Sequence, residues 1–304
     1  MGRMRSVKVA ESYPSTPSTS SGQATSTAGS HRLAPSVFGT YWTILRICIE
    51  ERLVYRGDFA LGTLMRFLPV ITQTFLWTAV FAGSGRHDIA GYTRNDFIAY
   101  YLLTYVARAF SSMPGLASSI ATQVRTGEIK KFLIQPIDML TFLFLSRVAH
   151  KLVYYAVATG PFALMFYLFR GYFSGWPDLL TFGAFVLSLL MAFVLGFFLE
   201  ATLGMIGFWF LEVSSILFVY MLFNFFFSGH MFPLTIMPGI WGQIMTAQPL
   251  QYLAYFPAAV FLGKVTGSAL VYGLVIQALW IAFFITTSRV GYKLGLRRYS
   301  GYGG

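Results

Sequence analysis

The sequence predicts an all-α integral membrane protein: six transmembrane helices behind an N-terminal interfacial helix. Three observations carry this. Composition is the first: 56% of the 304 residues are hydrophobic and only 11% are charged, with a mean hydropathy of +0.63, values that belong to membrane chains. The second is the stretch Leu179–Gly229, whose only charges are Glu200 and Glu212. As a helix it would run about 76 Å at ~1.5 Å per residue, more than twice a ~30 Å hydrocarbon core, so it must fold back as two spans. The third is the distribution of Lys and Arg, which fixes an orientation.

Taken in order, residues 1–34 carry Arg3, Arg5 and Lys8 and then a Ser/Thr/Pro/Gly tract with no apolar run. Such a segment reads as a disordered tail and not as a signal peptide. From Val37 to Arg56 the chain is too charged to span. Phe38, Tyr41, Leu45, Cys48, Ile49 and Leu53 recur at helical spacing, while Arg46 and Glu50 sit four apart on the other side. This is the pattern of an amphipathic helix lying in the interface plane.

Span one is read at about 59–82, interrupted by Arg66 and Pro69, and a polar loop, 83–96, follows. Span two falls at about 97–113 and carries Arg108. Span three is placed at about 152–169, after a lead-in holding Arg147, His150 and Lys151. Span four is about 179–199, with Gly204 and Gly207 taken as the turn before span five at about 213–229. Span six is about 267–288. With both ends inside, the segments 35–58, 115–151 and 289–304 hold twelve Lys and Arg, while the outer loops hold Arg86, Arg94, Arg170 and Lys264. Both termini are therefore expected in the cytoplasm. The formal charge of +11 reports this orientation and does not call for nucleic acid.

Two connecting segments differ from ordinary loops. Ser118–Pro136 reads SSIATQVRTGEIKKFLIQP. Ile120 and Val124 share one helical face, Ile129, Phe132 and Leu133 another, and Gly127 permits a break between them. Two short helices joined at Thr126-Gly127 would form a knob carrying Arg125, Lys130 and Lys131; an ordinary positively charged surface loop is the alternative. His230–Lys264 has one formal charge in 35 residues, and four prolines: Pro233, Pro238, Pro249 and Pro257. So apolar an outer loop should not sit in water. Either short helices dip into the outer leaflet, with Trp241, Tyr252 and Tyr255 at headgroup level, or the segment packs as a lid on the protein's own spans.

Chemistry of the usual enzymatic kinds is not indicated. Cys48 is the only cysteine, and His31, His87, His150 and His230 form no metal-binding spacing, so no metal site is predicted. A GxxxxGK[ST] phosphate loop is absent, the one Gly-Lys pair, Gly263-Lys264, being followed by Val265. Within the spans, Arg66, Arg108 and Glu200 are costly, each about 2.5–3.5 kcal/mol or more at mid-depth. Arg108 and Glu200 both fall in the inner half of their spans, so an ion pair, snorkelling to the interface and contact with a transported molecule all stay open.

The stretches IATQVRTGEIKKFLIQPI (Ile120–Ile137), SGHMFPLTIMPGIW (Ser228–Trp241) and QPLQYLAYFP (Gln248–Pro257), in this order among six spans, resemble the membrane subunit of ABC-2 type transporters. The resemblance covers about residues 36–298, giving a six-span domain over 35–298 between the tail 1–34 and a short C-terminal tail, 299–304. It implies a permease subunit of an ATP-driven exporter in the cytoplasmic (inner) membrane, lined by membrane lipid. A second six-span permease, identical or sister, would complete the path, and separate ABC ATPase subunits would bind ATP and Mg. No cofactor is expected on this chain itself. By the same resemblance Ser118–Pro136 is a cytoplasmic coupling helix region between spans two and three. The ATPase-docking residues map to Arg46, Glu50, Arg52, Gln123, Val124, Arg125, Gly127, Glu128, Ile129, Lys130 and Phe132. The re-entrant outer gate between spans five and six maps to Phe232, Pro233, Pro238, Trp241, Pro249, Tyr252 and Pro257. A membrane scaffold holding a cytoplasmic partner, or a stand-alone carrier, is the alternative.

Overall fold

The computed structural model describes residues 37–53, 61–62, 65, 67–135, 137–210 and 212–299. The tail 1–34, Arg66, Pro136 and residues 300–304 lie outside them, as does the side chain of Arg52. The described chain is mostly helical: α1 (Val37–Leu53), α2 (Phe67–Ser84), α3 (Arg94–Ser111), α4 (Leu116–Thr126), α5 (Lys130–Ile134), α6 (Met139–Leu168), α7 (Leu179–Met205), α8 (Ser214–Phe227), α9 (Ile240–Ala247), α10 (Tyr255–Phe261) and α11 (Gly267–Arg298). A two-residue hairpin, β1 (Asp88–Ile89) and β2 (Tyr92–Thr93), pairs antiparallel between α2 and α3.

Local sequence explains where the long helices start. Thr93 and Asp96 form a reciprocal capping box at α3: the Asp96 N–H donates to Thr93 Oγ1 at 3.2 Å and the Thr93 N–H to Asp96 Oδ2 at 3.1 Å. Asp138 caps α6 by accepting from the Thr141 N–H at 2.8 Å, and Asp178 caps α7 through the Thr181 N–H at 3.4 Å. Both are Asp-x-x-Thr starts, in which a short carboxylate takes up an orphan N–H of the first turn.

Among the described residues, α6, the helical run from Leu179 to Phe208, and α11 are long and apolar enough to cross a membrane; Leu68–Ser84 and Ser214–Phe227 are apolar but shorter. α7 is the centre of the assembly: α3, α4, α10 and α11 all pack on it, and α1 lies on α6. Two buried clusters mark the two ends. At the hairpin end Phe97, Tyr100, Leu103, Phe185, Leu189, Tyr255, Phe256 and Val260 pack together. At the opposite end Met113, Leu116, Ile120, Val124, Ile129, Phe132, Met139, Leu140, Phe197 and Met205 do so beneath α4 and α5.

Two placements correct the sequence reading. The helix that holds the third predicted span begins well before residue 152: α6 starts at Met139, so the charged lead-in with Arg147, His150 and Lys151 is itself helical. Gly204 and Gly207 are not a turn. Gly204 lies inside α7 and Gly207 in the 3-10 turn that prolongs it, and the connection to α8 comes after Phe208. Their role is close approach: a Cβ on Gly204 would meet Ile120 Cβ at 2.8 Å, and one on Gly207 would meet the Ala121 Cα at 2.8 Å. The hairpin in the 83–96 loop was not foreseen.

Candidate functional site

The knob is built from the two short helices α4 and α5. On α4, Leu116, Ala117, Ile120, Ala121 and Val124 are buried, while Ser118, Thr122, Arg125 and Thr126 face outward. The helix stops at Gly127, whose φ of +82° is left-handed and unstrained only for glycine. There the Gly127 N–H reaches the Val124 carbonyl at 3.3 Å and the Ile129 N–H the Gln123 carbonyl at 3.1 Å. Ile129 is fully buried and Phe132 nearly so, anchoring α5.

The residues mapped to docking therefore divide. Val124, Ile129 and Phe132 form the knob's own core. Arg125, Glu128 and Lys130 are exposed on its rim, and Gln123, half-buried, donates to Ser119 Oγ at 3.0 Å. Glu128 pairs loosely with Lys131 at 3.6 Å. On α1, Arg46 and Glu50 form an exposed pair at 2.9 Å.

The segment 230–264 is a run of short helices: a 3-10 turn (Leu234–Ile236) after Pro233, α9 after Pro238, a second 3-10 turn (Pro249–Leu253) opened by Pro249, and α10, which holds Pro257 in its first turn. Its two parts differ. Residues 251–261, with Tyr252 and Pro257, are buried against α3 and α7. Pro238 and Trp241 are exposed, while Phe232 and Pro249 are half-buried and Pro233 buried. The Ser-Gly preceding it is explained by backbone approach. The Tyr255 N–H donates to the Ser228 carbonyl at 2.9 Å. The Tyr100 hydroxyl donates to the Gly229 carbonyl and, at 3.4 Å, to that of Phe232. Gly229 has φ +75°, and a Cβ there would meet Tyr255 Cβ at 2.6 Å. Gln248 Nε2 donates to the Phe227 carbonyl at 2.7 Å, tying the end of α8 to α9. Beside this segment lie two cavities. One, of about 590 Å³, is lined by Gln243, Thr246, Tyr252, Tyr272 and Trp280. The other, of about 400 Å³, is lined by Leu199, Tyr220, Phe223, Ile244 and Phe284.

Lys264 closes the hairpin end. Its Nζ lies 2.9 Å from Asp96 Oδ2, donates to the Gly91 carbonyl at 2.8 Å, and stands 5.0 Å from the Tyr92 ring centroid. Asp96 thus caps α3 and holds the chain entering α11 at once. At the knob end Arg289 Nη1 meets Asp138 Oδ1 at 2.6 Å. Burial pushes the Asp138 carboxyl up, but the Thr141 hydroxyl and N–H and the Arg289 guanidinium outweigh it and hold it below the usual carboxylate range.

Between the two ends run the charges of the helix interior. Arg108 Nη1 donates to Asn224 Oδ1 at 3.2 Å, and Asn224 Nδ2 reaches the Tyr220 hydroxyl at 3.3 Å. Glu200, one helical turn from Gly196 and Gly204, stands near Arg108 and Arg147 and faces the N–H groups of Met113 and Ala117. Lys151, counted in the sequence as an interface charge, is buried and donates to the carbonyls of Ala109 and, at 2.8 Å, Ser112. Sequence reasoning missed it because its partners lie about forty residues away. Among the described residues no group of three or more His, Cys, Asp or Glu could hold a metal ion.

With this geometry in hand, the family model described as "ABC-2 family transporter protein" matches residues 67–303. The chain belongs to the ABC-2 transporter family. An ABC-2 permease is a membrane subunit without an ATP site of its own, and membership implies association with ABC ATPase subunits. No curated protein matches the chain.

Proposed function

We propose that this ABC-2 family chain is the membrane-spanning permease subunit of an ATP-driven exporter, docking through its knob on separate ATPase subunits. The observation that carries the reading is the knob itself. It combines a rigid apolar base, continuous with α7 and the end of α11, with an exposed rim of Arg125, Glu128, Lys130 and Lys131. A surface loop needs no such foundation, whereas a lever that takes a push from a partner does. The rim supplies the contact, and Val124, Ile129 and Phe132 keep its shape; α1, with Arg46, Glu50 and Arg52, adds a second contact.

In this reading α2, α3, α6, α7, α8 and α11 make six crossings, the knob and both termini face the cytoplasm, and the membrane is the cytoplasmic (inner) one. The segment from Phe232 to Phe261 closes the outer end of the path. α8 supports a two-copy arrangement: Phe218, Val219, Met221, Leu222, Phe223, Phe225 and Phe226 are all exposed, and only Asn224 on it is buried. With α2 it is the natural seam for a second permease, identical or sister. ATP and Mg belong to the ATPases, and closure of their dimer tilts the docked knobs and rearranges the two membrane halves.

The test is mild-detergent purification of the tagged chain from its own cells, with mass analysis of the intact complex. Two permeases with two ATPases are expected. A chain that arrives without any ATPase would refute the docking role and leave a scaffold or carrier.

A further inference from the structure

The joint between α3 and α4, Ser112–Gly115, is where a push on the knob must pass into the membrane helices. It is weak by its own sequence. Gly115, in the left-handed region at φ +72°, is the N-cap of α4 and makes no side-chain cap, and α3 ends at Ser111, where the Ser112 N–H claims the Arg108 carbonyl and the helix itself offers no donor to those after it. Both deficits are met from other helices. At the α3 end, a negative helix pole, Lys151 of α6 donates to the Ala109 and Ser112 carbonyls, and Tyr155, one turn further along α6, donates to Ala109 at 2.8 Å. At the α4 start, a positive pole, stands Glu200 of α7.

The backbone places Glu200 there independently of its charge. A Cβ on Gly196 would collide with the Ser111 carbonyl oxygen, and one on Gly204 would come within 3.0 Å of the Ala117 carbonyl oxygen. Residue 200 lies one turn from each, on the same face of α7, so its side chain meets the residues between Ser111 and Ala117. The Met113 and Ala117 N–H groups are the ones it faces. The cations acting on it, Arg108 and Arg147, come from α3 and α6, and Arg108 is also held by Asn224 of α8.

We infer that Glu200 and Lys151 are positioning residues for energy coupling: opposite charges set against opposite helix poles, which lock the knob to α3 so that the two tilt as one body. The role of the joint in coupling rests on the docking reading above; the lock itself does not. The bare glycines Gly196, Gly204 and Gly207 let α7 come close enough for a carboxylate to reach the joint, and the cation from α6 completes it.

The test uses the full chain in lipid nanodiscs and in its purified complex, comparing wild type with Glu200→Gln, which keeps shape and loses charge, and Lys151→Met. Amide hydrogen exchange over residues 112–126 is expected to speed up about tenfold in each variant, with α10 and the hairpin end of α7 unchanged. In the complex, ATP turnover should persist while its dependence on the permease falls several-fold, and Glu200→Asp should recover part of it. Unchanged exchange over 112–126 in both variants overturns the lock. So does a uniform loss of protection in all helices, which would make both residues general supports; if one variant fails to assemble, the other decides. A complex with no ATPase would defeat the docking reading, yet the exchange result would still decide the lock.

Discussion

The two ends of this molecule are fastened by different chemistry. At the hairpin end the joints are neutral or half-exposed: the Tyr100 hydroxyl on the Gly229 carbonyl, the Tyr255 N–H on that of Ser228, and the Lys264–Asp96 pair at the surface. Towards the knob end charges do the holding, Lys151 buried against the end of α3, and Arg108 and Glu200 half-buried between α3, α7 and α8. Removing one partner of a buried charge costs several kcal/mol in general, whereas an exposed pair is worth about 0–1. The hairpin end is thus sealed by shape, and the knob end is held in register by charge.

Predictions can break or sharpen that contrast. The largest effect is expected where α7 touches α3: Gly196→Leu forces a side chain into the Ser111 carbonyl, costing about 3 kcal/mol or more, at the top of the overpacking range. Thermal unfolding in detergent with size-exclusion recovery should show little folded protein. Gly229→Ala is next. A Cβ at φ +75° within 2.6 Å of Tyr255 should cost about 2 kcal/mol and loosen 228–261 while leaving the knob intact; exchange confined to that segment is the check.

The Lys264 clasp should matter less. Lys264→Met should lower stability by about 1 kcal/mol or below, and its effect should shrink at high salt. The Asp138–Arg289 pair makes the knob end acid-sensitive. Because the folded carboxyl is held below its unfolded value near 3.9, its contribution is complete above that value and is lost as pH falls through the folded one. Asp138→Asn should therefore flatten the low-pH limb of a melting-temperature profile without altering the neutral region's shape. The smallest effect is expected at Arg46–Glu50, an exposed pair four residues apart; Glu50→Gln should shift stability by about 0.5 kcal/mol or less.

The break at Gly127 was legible in the sequence because glycine after an amphipathic turn is a helix stop. The short helices of 230–264 were legible because prolines punctuate an apolar run. Gly204 and Gly207 were misread since a glycine looks the same whether it turns the chain or lets another backbone approach. The spacing Gly196-x3-Glu200-x3-Gly204, one face of one helix, was the signal that could have told the difference. Lys151 and Lys264 were opaque for another reason. Each meets a partner brought near only by the fold, so both counted merely as charges beside spans. The site residues at the rim of the knob rested on resemblance, and only the three-dimensional arrangement separates Arg125, Glu128 and Lys130 from the buried Val124, Ile129 and Phe132.

The central claim is that the knob rim carries the contact through which an ATPase drives this permease. The most direct measurement is the ATP turnover of the partner ATPase with and without the membrane chain, in wild type and in Arg125→Glu/Lys130→Glu, two exposed positions whose reversal leaves the core untouched. The account predicts that the wild-type chain changes turnover severalfold and that the double variant, still folded, does not. Identical turnover in all three conditions would contradict it.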